Sequence, residues 1–134
     1  MSEVERVIAV VGEWVVKAEN DLKNAAHTLE MGEVGPMDTV CFHAQQCAEK
    51  YLKAFLVLKK VDFPRNRDIE ARVVLLPEGI DVGLSAAEQR RLTTYATVTR
   101  YPGDYEPISL VEALQAVKIA RRARKAIRRR QSNS

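Results

Sequence analysis

Two short segments of the chain contain the residues best suited to chemistry. In the first, His43, Gln46 and Lys50 follow one another at i, i+3 and i+7, which aligns them along one side of a helix. The apolar face of the same helix consists of Val40, Ala44, Cys47, Tyr51, Phe55 and Leu58. The polar column therefore borders a buried face, where side chains can pack their stems and still meet a ligand or a partner.

The second segment is residues 100–105, with the sequence Arg-Tyr-Pro-Gly-Asp-Tyr. A helix is expected to end there, because Pro102 disfavours helix in the residue before it. Arg100 offers a planar fork of donors suited to phosphate or carboxylate, and Tyr101 and Tyr105 could stack on a base or on a partner. The structural alternative is that Arg100 caps the carbonyls of its own helix and pairs with a nearby acid.

Both segments can form one ligand site if their helices lie side by side with His43 and Arg100 at the same level. A rise of about 1.5 Å per residue places the polar column within roughly 10 Å along the axis, which suits a nucleotide. The predicted ligand-binding residues are His43, Gln46, Lys50, Arg100, Tyr101 and Tyr105. The alternative is a buried hydrogen-bond network that locks two helices together.

A third feature is the basic end of the chain. Residues 121–130 hold seven cations and no acid, whereas the rest of the chain has 14 basic and 18 acidic side chains. Four of these cations share a helical face, namely Arg121, Arg124, Lys125 and Arg128. This ridge predicts an anionic partner, either RNA or an acidic protein surface. The alternative is a terminal helix whose cations favour the negative end of its own dipole.

Helical spacing of apolar residues predicts the elements that carry these groups. The expected helices cover residues 3–31, 39–60, 68–76, 86–100 and 110–129. Capping boxes at Ser2, Ser85 and Ser109, each with Glu three residues later, mark three helix starts, and Asp38 is the expected N-cap of the second helix. The predicted fold class is all-α, an antiparallel up-and-down helical bundle of four long helices plus a short connecting helix. It forms one domain over residues 1–130, with a frayed tail at 131–134.

Length and composition agree with one globular domain. The chain has 134 residues, of which 46% are hydrophobic and 29% charged. It has no apolar run long enough to span a membrane and no secretion signal, so we expect a cytoplasmic protein without a membrane partner. Cys41, His43 and Cys47 would spread over more than half of a helix circumference, so neither a metal nor another cofactor is predicted.

The two segments also carry a family resemblance. Residues 43–54 read H-x-Q-Q-x-A-E-K-x-L-K-A and residues 100–102 read R-Y-P, and with these motifs the chain resembles the HEPN family of helical-bundle domains. The resemblance covers most of the chain. It implies an antiparallel bundle, self-association, and action beside a minimal nucleotidyltransferase, often in toxin–antitoxin operons. The long apolar stripes of the first two helices separately predict a homodimer with one of these helices at the interface. The sequence departs from the family at Arg67, where the resemblance leads us to expect a histidine.

The resemblance also bears on enzymatic activity. HEPN ribonucleases carry an arginine followed four to six residues later by a histidine, and neither His27 nor His43 has an arginine at that spacing. We therefore favour a nucleotide- or partner-binding module over an enzyme. One alternative is a metal-independent ribonuclease toxin that uses His43 and Arg100 from different helices. Another is a purely structural helical dimer.

Overall fold

A computed structural model describes residues 1–97 and 107–132, and these ranges contain helices and no strand. The helices are α1 (Glu3–Leu29), α2 (Met37–Leu58), α3 (Ile69–Val74), α4 (Ala86–Thr94) and α5 (Leu110–Ser132), with a 3-10 turn at Gly32–Val34. The predicted all-α fold class is confirmed. None of the described helices is both long and apolar enough to cross a bilayer.

Helix α2 is the centre of the bundle, and it packs against both α1 and α5. The predicted apolar face of α2 is buried, except that Leu58 is only partly covered. Side chains outside that face, such as Cys41, Ala48 and Leu52, are buried as well, because α2 has neighbours on several sides. The functional groups of α2 therefore have only a narrow strip through which to reach solvent.

Ion pairs and hydrogen bonds between helices fix their directions. Lys60, just after α2, pairs with Glu3 at the start of α1, so these two helices are antiparallel. Glu88 near the start of α4 pairs with Arg122 late in α5, and Tyr95 after α4 binds Glu112 early in α5. Helices α4 and α5 are therefore antiparallel too, as the up-and-down prediction requires.

Helix α4 is shorter than the sequence suggested, since it ends at Thr94 and not at Arg100. The Thr94 hydroxyl donates to the carbonyl of Arg91 at 2.6 Å, and the Thr93 hydroxyl donates to Gln89. Threonine hydroxyls that bond back to the helix compete with continued helical pairing. Three of the helices are consequently long, whereas α3 and α4 are short.

The other helix boundaries differ from the predicted ones by fewer residues. Helix α1 stops at Leu29, and α2 starts at Met37 with Pro36 before it, so Asp38 lies inside the first turn and is not the N-cap. Proline is well placed at a helix start because the first amides have no helical acceptor. Helix α5 continues through Ser132, two residues into the segment that was expected to fray.

The predicted capping boxes at Ser85 and Ser109 differ in completeness. Ser85 and Glu88 form both bonds of the motif. Ser109 accepts from the amide of Glu112, but the Glu112 carboxylate turns away from the cap and accepts from the Tyr95 hydroxyl. A side chain that the sequence assigned to a local cap thus joins α4 to α5.

Candidate functional site

The carboxylate of Asp21 on α1 organises the predicted polar column of α2. One oxygen lies 2.8 Å from Nδ1 of His43, and the other accepts from the ammonium group of Lys50 at 2.6 Å. The side chain of Asp21 is 10% exposed to solvent, and the side chains of His43 and Lys50 are 24% and 20% exposed. Two half-buried functional groups are thus held in place by one acid and still reach the surface.

Asp21 also determines how the imidazole of His43 can act. A carboxylate only accepts hydrogen bonds, so the hydrogen-bond network assigns the Nδ1 proton to His43 as the donor. In the neutral ring Nε2 is then the acceptor, oriented by the bond on the opposite nitrogen. This arrangement lets His43 accept a proton or a hydrogen bond from a ligand.

Gln46, the middle member of the column, lies deeper than the sequence suggested. It is buried, and its amide donates to the side-chain oxygen of Gln45. Gln45 in turn donates to the backbone carbonyl of Arg67 at 2.7 Å. The prediction that the whole column is half exposed is therefore wrong for Gln46, which is buried because α2 packs against neighbours on several sides.

Arg100, Tyr101 and Tyr105 lie outside the described residues. The helices that flank this segment are joined by the hydrogen bond from Tyr95 to Glu112. Burial, the bond to Glu112 and the nearby Cys41 raise the pKa of Tyr95. Tyr95, just after α4, therefore lies near Cys41 on α2.

A second charged network joins α1, α2 and α5. The carboxylate of Glu19 on α1 accepts from the Tyr51 hydroxyl at 2.6 Å and from two nitrogens of Arg124 at 2.7 and 2.8 Å. The bonds from Arg124 and Tyr51 lower the pKa of Glu19 from 4.5 to about 2. Burial, followed by this carboxylate, raises the pKa of Tyr51, and the same two causes raise that of Cys47 to about 12.

The basic ridge on α5 is divided between several surroundings. Arg124 forms the network with Glu19, and Arg128 lies 3.7 Å from the same acid. Lys125 instead borders a cleft of about 360 Å³ beside the loop at residues 81–83. Three arginines share this cleft with Lys125, namely Arg122, Arg129 and Arg130. The structure places Arg121 at the surface. Cations that the sequence grouped into one ridge thus face α1 on one side and the 81–83 loop on the other.

Sequence reasoning missed both acids that organise the site. Trp14, Lys17 and Asp21 follow at i, i+3 and i+7 on α1, the same spacing that revealed the column on α2. That signal was available, but an acid in the middle of a long amphipathic helix is also typical of a solvated face. Within the described ranges, no three His, Cys, Asp or Glu side chains come together as a metal site would require.

Comparisons with known proteins agree with this architecture. The family model for the HEPN domain matches residues 11–130. The crystal structure of TT1696 from Thermus thermophilus is similar, with a TM-score of 0.73 and 25% identity, over 89% of this chain and 96% of that one. The crystal structure of ST0689, an archaeal HEPN homologue, has a TM-score of 0.70 and 24% identity, over 90% of this chain and 96% of its own, and shows the shared fold. Comparison with curated proteins gives no match. Because the family match extends over most of the chain, this protein belongs to the HEPN domain family.

Proposed function

We propose that this HEPN-domain protein is a nucleotide- or partner-binding module that acts with a minimal nucleotidyltransferase in a toxin–antitoxin-type system. The observation that carries the proposal is the Asp21 bridge, which fixes His43 and Lys50 side by side at the rim of the bundle. Groups held in place before binding lose little conformational entropy when a ligand arrives. Lys50 would bind phosphate, and Nε2 of His43 would accept from a polar edge of the base.

The 98–106 segment completes this proposal. Arg100 would add a second cation for phosphate, and Tyr101 or Tyr105 would stack on the base. The described residues on either side of the segment are joined to each other, since the Tyr95 hydroxyl donates to Glu112 at the start of α5. A nucleotidyltransferase would supply the nucleotide, either free or still bound to its own surface.

Replacing Lys50 by alanine tests the nucleotide part of the proposal. Isothermal titration calorimetry with ATP should show binding by the parent protein and affinity reduced about tenfold in Lys50→Ala, the loss expected for one charge-assisted hydrogen bond. The melting temperature should fall by no more than about 2 °C, because Asp21 keeps His43 as a partner. The exposed Lys118→Ala on α5 removes the same charge and should bind ATP as the parent does. Absence of heat from the parent protein would remove the nucleotide from the proposal.

The assembly part of the proposal depends on the outer face of α1. Val4, Ile8 and Val16 lie on this face and are 63%, 61% and 60% exposed. Gly12 lies on the same face, and a Cβ added to it would meet no atom within 4 Å. A flat apolar strip of this kind suits a second copy of the chain. We expect a homodimer that buries at least ~1,000 Å² in total.

Sedimentation velocity measures this assembly directly. The parent protein should sediment as a dimer at tens of micromolar, and Ile8→Glu should give a monomer because a buried charge would face an apolar surface. Val74→Glu, at an even more exposed valine on α3, is the matched control and should remain dimeric. A monomeric parent would contradict the prediction.

One observation favours the ribonuclease alternative. The pairing of Asp21 with His43 resembles the carboxylate–imidazole pair with which many enzymes orient a general base. The arginine of the HEPN ribonuclease motif is nevertheless missing from the sequence around His43. Cleavage of single-stranded RNA in the presence of EDTA, lost in His43→Ala, would select this alternative over the binding module.

A further inference from the structure

A basic groove follows the side of α5 that faces α4 and the loop at residues 81–83. Lys118, Arg122, Lys125 and Arg129 occur at i, i+4, i+7 and i+11, so they share one side of α5, and all four are exposed. Two clefts of about 390 and 360 Å³ lie along this row, and Arg122 lines both of them. We call the row with its two clefts the α4–α5 groove. At a rise of about 1.5 Å per residue, its four cations extend over about 17 Å.

The α4–α5 groove has a large excess of positive charge. Its lining contains six basic side chains and two acids, Glu88 and Asp81. Within the ranges that the structure describes, no acid forms an ion pair with Lys118, Lys125 or Arg129. Cations that the protein does not neutralise itself are available to an anionic partner, and complementary charge favours the approach and the register of such a partner.

One internal ion pair shows that the groove accepts carboxylates. Arg122 pairs with Glu88 of α4 through both of its terminal nitrogens, and one of them also donates to the carbonyl of Gly83 at 3.0 Å. The planar guanidinium matches the two oxygens of a carboxylate, and its hydrogen bond lowers the pKa of Glu88. Because Arg122 joins α4, the 81–83 loop and α5, the walls of the groove are fixed before a partner binds.

The surface between the cations favours a protein segment over RNA. It contains the apolar side chains of Val82, Ile119 and Ala126, and none of the described lining residues is aromatic. Proteins hold single-stranded RNA largely by stacking its bases on aromatic rings. Glu88 and Asp81 would also repel a chain of regularly spaced phosphates, whereas an acidic peptide can place an uncharged residue beside each of them.

The spacing of the cations suits an extended chain. Alternate side chains of an extended segment point to the same side, so four carboxylates at alternate positions span about 20 Å, close to the length of the groove. We propose that the α4–α5 groove is a docking surface for an extended acidic segment of another protein, with its carboxylates along the row from Lys118 to Arg129. The groove shares no residue with the Asp21 bridge, and the inference does not rest on the proposed function.

Fluorescence anisotropy with a labelled acidic peptide tests this inference. The probe is a fluorescein-labelled, C-terminally amidated peptide of alternating glutamate and alanine with four carboxylates, and at low salt it should bind the parent protein saturably. Lys125→Glu and Arg129→Glu should each weaken binding about tenfold, because an attractive charge pair becomes a repulsive one. Arg121→Glu is the matched control, since it makes the same charge change on α5 but lines neither cleft. Its affinity should fall by less than about twofold.

A labelled uridine pentamer without a terminal phosphate carries as many negative charges as the peptide, and it should bind at least about fivefold more weakly. Tighter binding of the pentamer would make the groove an RNA surface and overturn the inference. No saturable binding of the peptide, or an equal loss in Arg121→Glu and Arg129→Glu, would overturn it too. Sedimentation velocity should give the same oligomer for Arg129→Glu and the parent, whereas dissociation of the variant would assign the groove to a second copy of the chain.

The Lys50→Ala variant separates this inference from the proposed function. It should bind the acidic peptide as the parent does, even though its affinity for ATP is expected to fall. A loss of peptide binding in Lys50→Ala as large as that in Arg129→Glu would place the peptide at the Asp21 site and contradict the inference. Absence of ATP binding by the parent would remove the nucleotide from the proposed function and leave the peptide result unchanged.

Discussion

Replacing Arg72 by alanine should lower the free energy of unfolding by about 3–5 kcal/mol, the cost of breaking a buried ion pair from one side. Arg72 and Glu49 are both almost fully buried, and Arg72 also holds the carbonyls of Pro64 and Asn66. Removal of the guanidinium leaves the Glu49 carboxylate with Lys53 alone and leaves two carbonyls without their donor. Urea denaturation followed by circular dichroism measures the loss.

Exposed Arg90 on α4 supplies the matched control for this prediction. Arg90→Ala should change stability by less than about 1 kcal/mol, because its only described ion pair, with Glu70, spans 3.9 Å at the surface. The double variant Arg72→Met/Glu49→Met should be more stable than Arg72→Met, since it removes a buried carboxylate that has kept only one of its two cations. A double variant no better than the single one would show that the lost carbonyl bonds dominate, and would contradict the ion-pair explanation.

The Arg72 network is also incompletely satisfied. Within the described part of the chain, Nε of Arg72 and one carboxylate oxygen of Glu49 are buried without a hydrogen-bond partner. Such groups reduce stability relative to a fully paired network. The same network holds the 64–67 loop through the bonds from Arg72 to Pro64 and Asn66, so the loop is positioned at some expense of stability.

Protonation of Glu19 should cause the largest change in the free energy of unfolding with pH. Its pKa in the folded protein is about 2, against an ordinary value of 4.5, chiefly because of the hydrogen bonds from Arg124. A lowered folded-state pKa means that the stabilisation is complete above pH 4.5 and is lost as the pH falls towards 2. After allowance for solvent screening of this partly exposed group, we expect about 2 kcal/mol from this source.

Glu19→Gln should remove that contribution at neutral pH and flatten the stability profile between about pH 5 and 2, in a series of urea denaturation curves. The glutamine keeps an acceptor for the Tyr51 hydroxyl, so the change isolates the charge. Glu78→Gln, at an exposed acid near α3, should follow the parent at every pH. A Glu19→Gln profile parallel to that of the parent would assign the acid sensitivity to other carboxylates.

The helices and most of their starts were predictable because they depend on residues close together in the sequence, although α2 starts at Met37 and is not capped by Asp38. The capping box at Ser85 formed as the local pattern indicated. Helix ends were less predictable, and α4 stopped early because Thr93 and Thr94 bond back to their own helix. The threonines were visible in the sequence, but their competition with the helix depends on how the end of α4 packs.

The sequence by itself determined the helical fold class, the alignment of His43 with Lys50 on one side of α2, and the two motifs by which the family was recognised. Only the tertiary structure decided which partners those groups have. Asp21 meets His43 across 22 residues, Glu19 meets Arg124 across 105, and Arg72 reaches back beneath its own loop. The period of a helix fixes which face a residue occupies. The rotation and level at which two helices pack decide which acid meets which base, and they depend on side chains of the whole bundle at once.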